Sequence, residues 1–240
     1  MSASISQQAA DTARAVRPLE VPADVLSRIR AMQFHDAEEV AALHHAAMGR
    51  SLWARLGLGF LTELYRALVN TPGFLAFVYV EDGAVRGFIA GSTDPDAMLS
   101  RALSKAWFLL GPAALPRALD PRVLRHLAQT GRYKQVSDQV ALPGPVLGES
   151  LFCSFSPDLR GKRVAGAINK VLFDDLAARG HRYVKVTTES DNEGANRQLQ
   201  SWGFLDCGRF RFYGKDMVTY VLDLESSPRV EAVGRHPMVE

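Results

Sequence analysis

Apolar residues recur along the chain with two different spacings, one typical of helices and one typical of strands. Helical spacing is clear at four positions: Leu56, Phe60, Leu64 and Leu68. Residues four apart share one face of a helix, so this segment predicts an amphipathic helix. Continuous β-rich runs at Phe74–Val80 and Val85–Ala90, joined by a turn containing Gly83, predict a hairpin.

The same patterns predict the other elements. Strands are expected at Arg28–Met32, Phe74–Val80, Val85–Ala90, Ser150–Phe155, Tyr183–Thr187, Phe204–Phe212 and Met217–Leu224. Helices are expected from Asp36 to Ala47, Leu56 to Leu68, Gly166 to Ala178 and Asn192 to Trp202. This alternation predicts a mixed α/β fold with helices on both faces of one sheet.

Three segments depart from the alternation around a single predicted domain, residues 27–225. Residues 1–26 and 226–240 lack sustained periodicity, and we expect a flexible arm and a flexible tail. Residues 94–146 are locally basic and predict a helical insertion. A helical hairpin packed on its own domain is the simplest interpretation, and membrane contact or a homodimer interface are the alternatives.

Composition narrows the class of protein. The chain has 240 residues, with 28 Lys and Arg against 26 Asp and Glu, so a nucleic-acid partner held by overall charge is not expected. No apolar run reaches the roughly 18 residues of a membrane span. Two cysteines, Cys153 and Cys207, suit a reducing compartment, and we expect a cytoplasmic protein.

The most informative stretch runs from a strand through a basic turn into a helix, Leu151 to Gly166. The turn reads Ser-Pro-Asp-Leu-Arg-Gly-Lys-Arg-Val-Ala-Gly. Such a turn offers helix N-terminal amides and positive charge to an anion. It is neither a Walker loop nor a GxGxxG fingerprint, and a tight loop with solvated basic residues explains it equally well.

These residues resemble the phosphate loop of the GNAT superfamily of N-acetyltransferases, Arg-x-x-Gly-x-Gly/Ala after a strand that ends in apolar-x-Pro. This chain has Phe155-x-Pro157 and then Arg160 to Ala165. Arg163 stands where the family usually has glycine. It either crowds the cofactor or adds a phosphate contact, and the sequence leaves both open.

A second motif also resembles that superfamily. Asn192-x-x-Ala195, followed by Trp202-Gly203-Phe204, is similar to the family's Asn-x-x-Ala … Gly-Phe helix, although Leu199 replaces a frequent tyrosine. The resemblance covers residues 28–93 and 147–224. It implies a central mixed, mostly antiparallel GNAT-like sheet flanked by helices, interrupted by the insertion.

The resemblance implies acetyl-coenzyme A as co-substrate. Its pyrophosphate is expected on the loop residues Arg160, Gly161, Lys162, Arg163, Val164, Ala165 and Gly166. The pantetheine is expected beside Cys153 and Phe155, with Asn192 reaching the cofactor from the other side.

Acetyl transfer to an amine requires the neutral amine, and losing the proton from a lysine-like amine at pH 7 costs on the order of 4–5 kcal/mol. Glu149 is the candidate base, because Glu-x-x-Phe-Cys is similar to the base-bearing strand of the histone-acetylating branch. Apolar neighbours would raise its pKa toward a useful range. A solvent-exposed glutamate at the strand entry is the alternative. Tyr213 or water would supply the general acid.

The acceptor site is expected from Arg50, Trp53 and Phe212, which offer a cation and flat rings. They suit a small-molecule primary amine, such as an amino sugar or a nucleotide-linked sugar. A protein lysine or N-terminus is the alternative acceptor, and a non-catalytic coenzyme A-binding sensor or scaffold is the alternative of another class.

Two other residue types invite a chemical role but have simpler interpretations. His44-His45 lacks further ligands at metal spacing, so we expect no metal and assign the pair to a helix surface. Cys153 has no identifiable histidine partner, and a strand thiol of this kind is expected to serve packing.

Overall fold

The structure, a computed structural model, describes residues 2–48, 56–95, 97–98, 101, 140–212 and 214–231. Its principal helices are α1 (Ser2–Arg14), α2 (Ala23–Leu26), α3 (Ala37–Met48), α4 (Leu58–Val69), α5 (Val164–Ala178) and α6 (Glu193–Ser201). Its strands are β1 (Ile29–Ala31), β2 (Phe74–Glu81), β3 (Ala84–Ser92), β4 (Gly148–Phe155), β5 (Tyr183–Glu189), β6 (Leu205–Phe212) and β7 (Lys215–Asp223). The seven strands and the four helices predicted outside the insertion are present, with ends that shift by a few residues.

The described strands form one sheet in the order β1-β2-β3-β4-β5-β7-β6. The pairs β1–β2, β2–β3, β5–β7 and β6–β7 are antiparallel, whereas β4 and β5 are parallel. The predicted mixed, mostly antiparallel sheet is therefore confirmed. Residues 102–139, most of the predicted insertion, lie outside the described residues.

Backbone contacts divide the chain into two compact units. The first unit comprises residues 1–20, 129–150 and 173–240, and the second comprises residues 21–128 and 151–172. The boundaries fall within β4 and within α5, so each unit takes part of both elements. The single predicted domain over residues 27–225 stays a prediction.

The core of the second unit is formed by α3, α4 and the β2–β3 hairpin. Val40, Leu61 and Phe88 are fully buried in it. The hairpin turn places Asp82 at φ 53° and Gly83 at φ 77°, two left-handed residues of the kind that tight hairpins need. The apolar four-residue spacing of α4 therefore buries the predicted face.

The prediction of a helix-surface position is wrong for His44. Its side chain is 1% exposed, and Nδ1 lies 2.7 Å from the hydroxyl oxygen of Tyr65. Its ring also packs against Phe88 and Phe152. His45, its neighbour, is exposed as expected. The pattern missed His44 because its partner Tyr65 comes from α4, another helix.

The N-terminal residues of the first unit differ from the predicted flexible arm. Residues Ser2–Arg14 form α1, which packs on β6 and β7 and buries three alanines: Ala9, Ala10 and Ala13. The tight turn after α6 receives this helix, because a Cβ at Gly203 would lie 2.7 Å from the carbonyl oxygen of Thr12. A face of small alanines packs closely but gives a weak hydropathy signal, which is why the sequence pattern missed it.

The predicted flexible tail also begins with packed residues. Ser227 is buried, and Arg229 lies over the Trp202 ring and donates from Nε to the Arg17 carbonyl oxygen at 2.8 Å. The Glu231 amide donates to the Asp174 carboxylate at 2.8 Å. Polar contacts of this kind do not require a periodic pattern of apolar residues, so the sequence pattern did not predict the packing of this segment.

Among the residues that the structure describes, no helix combines the length and apolar character needed to cross a membrane.

Candidate active site

The basic turn of the second unit joins β4 to α5 through two left-handed residues. A 3-10 turn, Pro157–Leu159, leads into Arg160, and Gly161 follows at φ 83°. Lys162 then precedes Arg163, which has φ 61°, and α5 begins at Val164. Alternating backbone conformations of this kind turn successive amides toward one concavity, which is a common anion-binding geometry.

The backbone amides at the start of α5 are available to a ligand. Ala167 donates to the Arg163 carbonyl oxygen at 3.1 Å, which is the first bond of the helix. The amides of Val164, Ala165 and Gly166 have no acceptor among the described residues. A Cβ built on Gly161 would meet nothing within 4 Å, so the space beside the turn is open. These amides therefore fit a bound pyrophosphate.

Three exposed cations stand on this turn: Arg160, Lys162 and Arg163. The Lys162 ammonium lies 4.0 Å from a Glu81 carboxylate oxygen, at the outer limit of an ion pair. Exposed guanidinium and ammonium groups beside free amides add charge-assisted contacts to a phosphate. The turn thus combines the amide geometry and the charge that the sequence predicted.

The turn is fixed to β3 by Arg86. The Ser156 amide donates to the Arg86 carbonyl oxygen at 2.7 Å, and Arg86 Nη2 donates to Asp158 Oδ1 at 2.7 Å. This hydrogen bond to Arg86 lowers the pKa of the Asp158 carboxyl. Because both contacts come from one residue of β3, Arg86 sets where the turn leaves the sheet.

The strand before the turn carries Cys153 and Phe155. A Cβ on Gly87 would lie 2.5 Å from the Phe155 ring, so the glycine lets this ring approach β3 closely. Burial raises the pKa of the Cys153 thiol to about 12. Because the thiolate is the reactive form, this thiol is not a nucleophile at neutral pH, in agreement with the packing role expected for it.

Glu149 belongs to the first unit, where β4 pairs with β5. It is only 4% exposed, and the register places Lys185 directly opposite. Lys185 Nζ lies 3.2 Å from Glu149 Oε2. The alternative of a solvent-exposed glutamate is therefore wrong. The sequence pattern did not predict the cation beside this carboxylate.

Polar side chains continue from Glu149 across one face of this part of the sheet. Register pairs Lys185 with Glu149, and Thr187 with Thr219, and alternate residues of β5 share a face. The Thr219 hydroxyl is buried and has no hydrogen-bond partner among the described residues. The face is therefore polar and largely closed to solvent.

Asn192 opens α6, also in the first unit. Its side-chain oxygen accepts a hydrogen bond from the Ala195 amide at 3.2 Å, so the Asn-x-x-Ala motif is a helix N-cap. Asn196 Nδ2 donates to the carbonyl oxygens of Glu189 and Ser190, at 3.2 and 3.1 Å. Together these bonds fix the start of α6 to the end of β5.

A pocket of about 600 Å³ lies on the β6–β7 hairpin of the first unit. Its lining residues are Ser190, Arg209, Phe210, Arg211 and Asp216. Ser190 is fixed in place, since its amide and its hydroxyl both donate to the Asp216 carbonyl oxygen. The pocket combines two guanidinium groups with a buried ring.

The amino-acid sequence matches no protein-family model and no curated protein. Solved structures do match. An N-acetyltransferase from Staphylococcus aureus Mu50 covers 81% of this chain and 99% of its own, with 16% identity and a TM-score of 0.53. A protein of the GNAT family from Desulfovibrio desulfuricans covers 81% and 97%, with 13% identity and a TM-score of 0.51.

A third structure is the ribosomal-protein-alanine N-acetyltransferase from Brucella melitensis. It covers 81% of this chain and 98% of its own, with 17% identity and a TM-score of 0.50. This chain has the GNAT fold. The element order and the mixed sheet predicted from the sequence are those of the GNAT fold.

The predicted site residues that the structure describes belong to both units. Cys153, Phe155 and the turn Arg160–Gly166 belong to the second unit, whereas Glu149, Asn192 and Phe212 belong to the first. Phe212 ends β6 opposite Lys215, with its ring 6.4 Å from that of Phe210. Arg50, Trp53 and Tyr213 lie outside the described residues.

Two charged residues beside the predicted site residues, Lys185 and Arg86, do not follow from the sequence pattern: Lys185 contacts Glu149, and Arg86 contacts Asp158 and the Ser156 amide. Each residue contacts a partner that is distant in sequence, so the local spacing of residues does not predict the contact. Among the described residues, no cluster of three or more histidine, cysteine or acidic side chains could hold a metal ion.

Proposed function

We propose that the protein transfers an acetyl group from acetyl-coenzyme A to an amine. The observation that carries this proposal is the turn before α5, where open amides and exposed cations meet in a chain with the GNAT fold. When bound, acetyl-coenzyme A supplies the acetyl group as a thioester.

In this proposal the turn holds the pyrophosphate. The amides of Val164, Ala165 and Gly166 donate to its oxygens, with the positive end of the α5 dipole behind them. Arg160 and Lys162 add charged contacts. Arg86 keeps the turn in position through Asp158 and the Ser156 amide.

Glu149 is proposed as the base. A carboxylate oxygen accepts a proton from the acceptor ammonium and becomes a carboxylic acid, and the neutral amine then attacks the thioester carbonyl. A C–N bond forms, the C–S bond breaks, and coenzyme A leaves with the electron pair of that bond. The nitrogen loses its second proton to solvent, directly or through Glu149. The burial of Glu149 beside Lys185 supports a defined carboxylate at this position.

For the acceptor we propose the primary amine of a small molecule, such as an amino sugar or a nucleotide-linked sugar. The pocket on the β6–β7 hairpin supports it, because Arg209 and Arg211 suit an anionic group and Phe210 suits a flat or apolar one. A protein N-terminus is the second candidate. It is favoured by the name of one structural neighbour, a ribosomal-protein-alanine N-acetyltransferase.

Release of the coenzyme A thiol from acetyl-coenzyme A tests the proposal. The acceptor panel is glucosamine, spermidine, free lysine and a peptide with an N-terminal alanine. We expect turnover with at least one amine, and Glu149→Gln to lower it by about 10²–10⁴-fold with a lysine-like acceptor. Glu193→Gln, which alters an exposed carboxylate on α6, is the control.

The panel also separates the candidates. Turnover confined to the peptide would favour the protein acceptor. Binding of acetyl-coenzyme A without turnover of any amine, together with no effect of Glu149→Gln, would replace the enzyme with a coenzyme A-binding sensor or scaffold.

A further inference from the structure

The residue opposite Glu149 is a lysine in a place where strands normally carry apolar side chains. Lys185 has a side chain that is only 14% exposed, and its β7 partner, Val221, is fully buried. Burying an ammonium group is costly unless it is paired. Its Nζ lies 3.2 Å from Glu149 Oε2, which supplies that pair.

Several other charged groups on β5, β7 and α1 of the first unit form pairs of their own. Glu189 forms an ion pair with Lys215, and Asp223 accepts a hydrogen bond from Arg182 at 3.2 Å. On α1, Asp11 and Arg14 pair at the surface. Lys185, at 3.2 Å, is close enough to act directly on the charge of the Glu149 carboxyl.

Gly148, the residue before Glu149 on β4, lies close to His181 of the connection between α5 and β5. A Cβ on Gly148 would lie 3.7 Å from the His181 ring, and burial lowers the pKa of His181, so this ring is neutral at pH 7. Asp175 and Arg179 of the same connection pair with each other at 2.8 Å.

A base must be ionised before it can accept a proton. Burial alone favours the neutral carboxylic acid, and an adjacent cation favours the carboxylate. We infer that Lys185 is a positioning residue for Glu149, which binds its Oε2 and keeps the buried carboxylate ionised and ready to accept a proton. This inference rests on the proposed function, because it gives Glu149 the role of base.

The first test measures the pH titration of the Glu149 carboxyl directly and requires no acceptor amine. Glutamate labelled with ¹³C at the side-chain carboxyl is followed by NMR against pH, and the Glu149 signal is assigned by its loss in Glu149→Gln. In Lys185→Met, which keeps the volume and removes the charge, we expect the titration midpoint to rise by about one to three pH units. Lys185→Arg, which keeps the cation, should leave it within about half a unit.

The second test is a double-mutant cycle on the free energy of unfolding, measured near pH 8 and near pH 5.5. Lys185→Met removes a cation from a buried carboxylate and should raise the pKa of Glu149 in the folded state. The unfolded chain, with a glutamate pKa of about 4.3, is ionised at both pH values, so the loss of stability should be greater near pH 8, where the folded variant can no longer keep this proton at little cost. Glu149→Gln/Lys185→Met should lose this pH dependence. Equal losses at both pH values would overturn the inference.

The third test is the pH profile of kcat/KM with an amine from the panel. In Lys185→Met the acidic limb of the kcat/KM profile should move to higher pH. In Lys185→Arg this limb should stay where it is in the unaltered protein. If Glu149→Gln abolishes turnover while Lys185→Met leaves both the profile and the NMR midpoint unchanged, the inference fails and the base proposal stands. If Glu149→Gln leaves turnover unchanged, the base proposal fails.

Discussion

Arg163 has a backbone conformation that is unfavourable for a residue with a side chain. Its φ of 61° is left-handed, a conformation that costs a non-glycine residue roughly 1–2 kcal/mol. The sequence left open whether this arginine crowds the cofactor or contacts its phosphates. The structure gives the reason for the usual glycine at this position, since the turn requires a positive φ here. An arginine at this strained position adds an exposed guanidinium that a glycine would not provide.

Replacing this arginine by glycine should separate stability from binding. We expect Arg163→Gly to raise the free energy of unfolding by up to about 1 kcal/mol, because relief of backbone strain outweighs the extra freedom of the unfolded chain. Affinity for acetyl-coenzyme A should fall, because a charged phosphate contact is lost. Urea denaturation and calorimetric titration measure the two effects.

Arg163→Ala is the matched control, since it removes the guanidinium but keeps a Cβ in the left-handed turn. It should bind acetyl-coenzyme A as weakly as Arg163→Gly and gain no stability. If Arg163→Gly binds as tightly as the unaltered protein, Arg163 has no phosphate contact and its strain has no explanation in cofactor binding.

The contact between α3 and α4 depends on a polar pair inside an apolar core. Burial lowers the pKa of His44 to about 4, with a smaller effect from the neighbouring His45. Burial also raises the pKa of Tyr65, so its hydroxyl stays protonated against His44. Protonating His44 would put a charge between the two helices.

The helix pair should therefore make the protein sensitive to acid. The unfolded chain binds more protons than the folded one between about pH 6.5 and about pH 4, so the free energy of unfolding falls as the pH drops through this window. From about pH 7 to about pH 5 the loss attributable to His44 should be roughly 2 kcal/mol. Urea denaturation at both pH values measures it.

His44→Gln should remove this part of the pH dependence while keeping a polar side chain near Tyr65. His45→Gln, one position further along α3 and exposed, should retain it. An unchanged pH dependence in His44→Gln would show that the acid sensitivity arises elsewhere.

Helix α1 depends on a single glycine at the end of another helix. Gly203 has φ 81°, and the 2.7 Å approach to the Thr12 carbonyl oxygen leaves no room for a Cβ. Gly203→Ala should therefore cost the left-handed strain of about 1–2 kcal/mol and also loosen α1. Amide hydrogen exchange in α1, followed by mass spectrometry, measures the second effect.

Gly180, just after α5, provides the comparison. Its φ is 84°, but a Cβ there would meet nothing within 4 Å. Gly180→Ala should lose the strain energy alone and leave exchange in α1 unchanged. Equal exchange in the two variants would mean that Gly203 does not hold α1.

For the whole molecule, sequence patterns predicted what is local and missed what is distant. Apolar periodicity located the strands and helices of the sheet, and the basic turn was visible because its residues are contiguous. Lys185 was not visible, since its pairing with Glu149 depends on the register of two parallel strands. Arg86 meets Asp158 across 72 positions of sequence for the same kind of reason. The alanine face of α1 could not be recognised as a packing face without the structure, because it packs close to Gly203, which is distant in sequence.

The proposed activity depends first on binding of acetyl-coenzyme A by the turn before α5. Calorimetric titration tests it most directly, with Arg160→Ala as the variant, Arg197→Ala as an exposed-arginine control on α6, and pantetheine as a ligand without the pyrophosphate. We predict micromolar binding that Arg160→Ala weakens by about tenfold and Arg197→Ala leaves unchanged, with pantetheine bound far more weakly. Absence of binding, or equal affinity in all three proteins, would contradict it.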